Sequence, residues 1–108
     1  MIRSVAIGAV LLLGLASVAS AQDKAKGEAV YTAQKCSLCH SVAGKGNAKG
    51  ALDDVGSKLK ADEIRSWMVD AKGMTAKSGA TRKPEMKNYT LPKEDLDNLV
   101  AYLQSLKK

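Results

Sequence analysis

Beyond residue 22 the apolar positions recur at helical spacing in three stretches. In the first, from about Lys24 to Lys35, Gly27, Val30 and Tyr31 share one face at i, i+3 and i+4, and Asp23 stands where a short acceptor side chain caps a helix. The second, from about Lys60 to Ala71, puts Ile64, Trp67, Met68 and Ala71 on one stripe. The third is the strongest and runs from about Lys93 to Leu106, with Leu96, Leu99, Val100, Leu103 and Leu106 as its apolar face. Pro92 sits at its entrance, Glu94 and Asp95 match the positive end of the helix dipole, and Lys107 and Lys108 match the negative end. No stretch alternates at period two. The pattern predicts an all-α domain with three main helices.

Ser41 to Leu59 and Lys72 to Leu91 read as irregular, the first carrying Gly44, Gly46, Gly50 and Gly56, the second Gly73, Gly79 and Pro84. Two connections of nearly ~20 residues are out of scale in a small domain unless both wrap around a large bound group.

Residues 1–21 follow another logic. Arg3 supplies a positive start, Val5 to Val18 is apolar and small, and Ala19-Ser20-Ala21 is a small-x-small cleavage pattern. Those are the parts of a secretory signal. A retained anchor is the weaker reading, because the segment barely reaches the ~20 apolar residues of a span and contains Gly8 and Gly14. The expectation is export to the periplasm, cleavage after Ala21, no permanent membrane anchor, and a single domain over residues 22–108.

Composition sharpens this picture. The chain has 108 residues, which is one domain's worth, and it lacks Phe altogether, with three Tyr and one Trp as its aromatics. So little aromatic surface argues against a self-sufficient enzyme with a large pocket and leaves space for a non-protein group at the centre. Basic residues outnumber acidic ones, 17 to 11.

The chemistry resides in Cys36-Ser37-Leu38-Cys39-His40, the C-x-x-C-H pattern of c-type haem attachment. Positions three and four apart lie on one side of a helical turn, so both thiols can reach the vinyl groups of one porphyrin edge while His40 reaches the iron. One haem c, bound through two thioethers, consumes both cysteines. The competing readings are weaker. A redox C-x-x-C pair expects a βαβ context, a zinc site expects four ligands where this chain offers two Cys and one His, and a plain disulfide has no use for His40. Because His40 is the sole histidine, neither bis-His ligation nor a distal histidine is available within the chain. The sixth ligand is Met, Lys, a small molecule or nothing. Met68 continues a helical stripe and reads as core filler; Met74 lies just past that helix without a rigid frame. Met86 follows Lys83-Pro84-Glu85 in a loop anchored on both sides, and the residues favour it.

With these motifs in place, the chain resembles the class I cytochromes c of mitochondria and bacteria. Gly27 and Tyr31 match the Gly-x-x-x-aromatic pair of that family's first helix, and Leu99 and Tyr102 match the Leu-x-x-aromatic pair of its last. The resemblance implies that the two helices cross at the glycine, that His40 and Met86 are the proximal and distal iron ligands, and that Trp67 lines the haem pocket. Tyr31, Tyr102 and the leucines of the last helix are expected to pack around the porphyrin. Two departures stand out. Lys49-Gly50-Ala51-Leu52 lacks the Pro usual after the haem motif, so the carbonyl of Gly50 or Ala51 is expected to orient His40. Lys87 also stands after Met86, where many bacterial members have Pro.

A His/Met haem has no open iron position, which suits outer-sphere transfer of one electron between redox proteins rather than catalysis. Lys35, Lys45, Lys49, Lys72, Lys77, Lys83 and Lys87 fall in or beside the segments expected to frame the haem and would steer an acidic docking surface. No nucleic acid is expected, and the protein is read as a monomer or as a subunit of a redox complex. The alternatives are a haem enzyme or gas sensor with a labile sixth ligand, with Arg82 as polar helper, or an electron-entry subunit of a larger oxidoreductase.

Overall fold

The computed structural model describes residues 23–108, so the leader expected over 1–21 lies outside the described residues. Five helices follow in order: α1 (Lys24–Ala33), α2 (Val55–Lys58), α3 (Ala61–Val69), α4 (Ala71–Ser78) and α5 (Lys93–Gln104). Strands β1 (Ser41–Val42) and β2 (Lys45–Gly46) form an antiparallel hairpin with Ser41 opposite Gly46 and Val42 opposite Lys45. The all-α class holds, since two strands of two residues leave no period-two trace in a sequence. Among the described residues no helix is long and apolar enough to cross a membrane.

The fold is organised by the crossing of α1 and α5. Asp23 starts α1 by accepting from the Lys26 amide at 3.1 Å, and its own amide donates to Asn98 Oδ1 at 2.8 Å. That second bond explains why polar Asn98 is buried in the middle of α5. Gly27 faces α5 so closely that a Cβ there would collide with the Asn98 carbonyl and lie 2.7 Å from Tyr102 Cβ. Beside this contact the rings of Tyr31 and Tyr102 meet edge to face, 5.7 Å between centroids and 63° between planes. Leu99, Val100 and Leu103 of α5 complete the core with Ile64 and Met68 of α3. Arg65 reaches Asp97 at 2.8 Å and joins α3 to α5 at the surface, while Lys93 reaches the same carboxylate at 2.8 Å from within α5.

Two expectations need correction. The stretch from Lys72 to Leu91 is not irregular throughout, because α4 occupies its start. The Asp70 amide closes α3 by donating to Ser66 O at 2.8 Å, and its carboxylate then accepts from the Gly73 amide at 3.2 Å to open α4. Gly79, at φ 72°, ends the helix in the left-handed region. Only Ala71 and Thr75 of α4 are buried, one small and one polar, and Gly73 sits in its interior; a helix of that kind is held by capping and tertiary packing and writes no apolar stripe. The segment from Ser41 to Leu59 likewise contains the hairpin, a 3-10 turn at Ala48–Gly50 and the single-turn α2.

Candidate functional site

α1 stops before the motif. The Gln34 amide donates to Val30 O at 2.9 Å, Lys35 turns left-handed at φ 58°, and a 3-10 turn begins at Cys36. The amides of Cys39 and His40 then both donate to Cys36 O, at 3.1 and 2.9 Å. This single turn sets Cys36, Cys39 and His40 along the wall of one cavity. Both thiols are free, and burial pushes that of Cys36 up, away from the thiolate character of a redox-active cysteine. Among the described residues no three His, Cys, Asp or Glu side chains gather into a metal-holding cluster.

His40 Nδ1 lies 3.0 Å from Gly50 O, so of the two carbonyls expected to orient the imidazole Gly50 makes the contact. A carbonyl only accepts, which places the proton on Nδ1 and leaves the Nε2 lone pair free. Burial holds His40 below its ordinary range, and the nearby Arg82 cation adds to that, while the Gly50 bond works against them. The imidazole is therefore neutral near pH 7, the form that binds a metal. Arg82 comes in from the loop between α4 and α5, and its guanidinium lies over Gly50 where a Cβ would collide with it.

The cavity has a volume of about 560 Å³, within the range of ~300–1,000 Å³ found for small-molecule and cofactor sites. Leu52, Leu59, Ile64, Trp67 and Leu103 are among its apolar lining residues. Tyr31, also on its wall, has a buried hydroxyl with no partner among the described residues, and burial raises its pKa to about 12. The space thus suits a large, mainly apolar group carrying a hydrogen-bond acceptor, set beside two thiols and one neutral imidazole. Haem, an apolar macrocycle with carboxylate side chains, fits that description.

Of the candidate sixth ligands, Met86 and Met68 line the cavity. Met68 is 7% exposed and belongs to the core of α3, whereas Met86 is half-buried on the loop before α5. Met74 lies on the rigid frame of α4 rather than in a loop, and is not among the lining residues. The Met86 loop is held without the missing Pro. Lys87 places its ammonium 5.1 Å from the centre of the Tyr89 ring, Asn88 Oδ1 accepts from the Lys72 amide at 3.0 Å, and the Tyr89 amide donates to Met68 O at 2.7 Å.

Trp67 lines the cavity as expected, but Tyr102 does not, and of the α5 leucines only Leu103 does. The apolar face of α5 is divided between α1 and the cavity, a split that periodicity alone does not reveal. Thr75 and Tyr89 also line the cavity, though nothing in the apolar spacing marks them. Thr75 belongs to the helix that left no pattern, and Tyr89 had a usable signal in its place three residues after Met86.

Fold and site together describe a small helical domain whose cavity, two thiols and one imidazole suit a covalently attached haem. The sequence profile of the Cytochrome c family matches residues 24–107, and the chain belongs to that family as a class I c-type cytochrome. The family consists of haem-based electron-transfer proteins that hold haem c covalently. No curated protein and no solved structure matches the chain at a significant level.

Proposed function

We propose that this protein is a periplasmic monohaem electron carrier with His40 and Met86 as axial ligands, passing one electron at a time between redox proteins. The observation that carries the proposal is the His40 imidazole, held by the Gly50 carbonyl 3.0 Å from Nδ1 in the cavity that Cys36, Cys39 and Met86 also line. When bound, haem c supplies a one-electron Fe(III)/Fe(II) couple. Cys36 and Cys39 hold the group by thioethers, and His40 presents Nε2 while donating from Nδ1. Met86 closes the other axial side, leaving the chain no position at which to transform a substrate. The apolar walls exclude water and so disfavour the extra charge of ferric iron, which together with a thioether ligand raises the potential. The lysines named above are all exposed, Lys35 and Lys87 at the cavity itself, and they suit an acidic docking surface on the partner.

The test is an optical spectrum of the oxidised, haem-loaded protein. Wild type should show the weak far-red band of Met–ferric iron, and Met86→Ala should abolish it; a surviving band removes Met86 as ligand. Avid carbon monoxide binding by wild type would replace the carrier with the enzyme or sensor reading. Electron-transfer rates that ignore ionic strength would argue against a freely diffusing carrier steered by its lysines. Export and cleavage predict a purified chain beginning at Gln22.

A further inference from the structure

The His40–Gly50 hydrogen bond joins two segments of the chain, and one residue between them touches both. The Asn47 amide donates to His40 O at 2.9 Å and to Ser37 O at 3.2 Å. Its side-chain Nδ2 donates to Leu38 O at 3.3 Å. Three carbonyls of the Cys-x-x-Cys-His turn thus converge on Asn47. On its other side, Asn47 Oδ1 accepts from the Lys49 amide at 3.0 Å, and Asn47 O accepts from the Gly50 amide at 3.1 Å. These bonds cap and close the 3-10 turn Ala48–Gly50, whose last carbonyl accepts the hydrogen bond from His40 Nδ1. Ala51, next in the chain, brings no ring or β-branch to stiffen that turn. Only a carboxamide side chain both donates to Leu38 and accepts from Lys49 here; a carboxylate keeps the acceptor, and a methyl keeps neither.

We propose that Asn47 is the positioning residue of the haem centre: it locks the turn that carries His40 to the turn that carries Gly50, and so sets the hydrogen bond at Nδ1. The inference rests on His40 as the iron ligand. A ligating imidazole that donates firmly from its second nitrogen is better oriented and more basic. Loosening Gly50 should therefore let the Nδ1 proton exchange faster and raise the reduction potential.

The experiment follows solvent exchange of the His40 Nδ1 proton by NMR in the reduced, haem-loaded protein, together with its potential. Asn47→Ala should speed exchange about fivefold or more, the size of a lost helix cap, and Asn47→Gly about twofold; both should shift the potential upward. Asn47→Asp keeps the acceptor for Lys49 but loses the donor to Leu38, and should fall between wild type and Asn47→Ala. Asp23→Ala removes the cap of α1 and should lower the melting temperature while moving neither readout. The proposal is overturned when the Ala or Gly variant matches wild type in both readouts, or when Asp23→Ala moves them as far. Should Asn47→Ala fail to fold, Asn47→Gly carries the test, because cap positions tolerate glycine. A wild-type protein without an iron-bound imidazole proton would instead refute His40 as ligand, and that result precedes any substitution.

Discussion

Replacing Gly27 by Ala adds one methyl group at the tightest contact of the fold. The new Cβ would stand 2.7 Å from Tyr102 Cβ and 2.6 Å from the Asn98 carbonyl carbon, with the carbonyl oxygen closer still. Two of these three atoms are helix backbone, which cannot rotate aside, so α1 and α5 must separate along their crossing. Forced overpacking of this kind costs about 3 kcal/mol, at the upper end of the usual range, because relief requires moving a helix rather than a side chain. Alanine returns ~1 kcal/mol through its better helix propensity. The net loss of about 2 kcal/mol corresponds to a melting temperature lower by ~8–16 °C in a domain of this size. Separation also disturbs the Tyr31–Tyr102 edge-to-face pair, and through Tyr31 the cavity wall. Thermal unfolding of the haem-loaded protein, followed by far-UV circular dichroism, measures the shift. A Gly27→Ala protein that melts at or above the wild-type temperature would refute the close approach of the two helices, since propensity alone would then be operating.

Asn88→Ala removes the acceptor for the Lys72 amide and one anchor of the Met86 loop; added imidazole should displace Met86 from the oxidised protein with about fivefold higher affinity, and an unchanged affinity would count against the anchor. Ala51 has φ −60°, and its amide donates to no acceptor among the described residues, so Ala51→Pro should stabilise by ~0.4–1 kcal/mol, a gain visible in denaturant unfolding and contradicted by any loss. Hydrogen bonds from Lys93 and Arg65 hold the Asp97 carboxyl below its usual range. Its stabilising effect is present above the unfolded carboxylate pKa of ~3.9 and is lost as pH falls through the lower folded value. The melting-temperature gap between wild type and Asp97→Asn should accordingly close as pH drops from about 5 to about 2, and a constant gap would show that the charge is not what matters.

The three main helices, their buried faces and the attachment motif were legible in the residues because each is a local property. Gly27, Tyr31, Ile64, Met68, Leu99 and Leu103 occupy the faces that spacing assigns them, and Cys36 to His40 form a single turn of chain. What sequence alone determined was therefore the helical class, the three apolar stripes, and a haem-attachment motif holding the only histidine. Tertiary structure decided the rest. α4 exists through the Asp70 cap and the burial of Ala71 and Thr75, the face of α5 is shared between α1 and the cavity, and Gly50 rather than Ala51 reaches His40. These choices depend on which distant segments meet. An apolar stripe records that a face is buried, but not against what, and a backbone carbonyl has the same chemistry at every residue until the fold places one of them within reach of a donor.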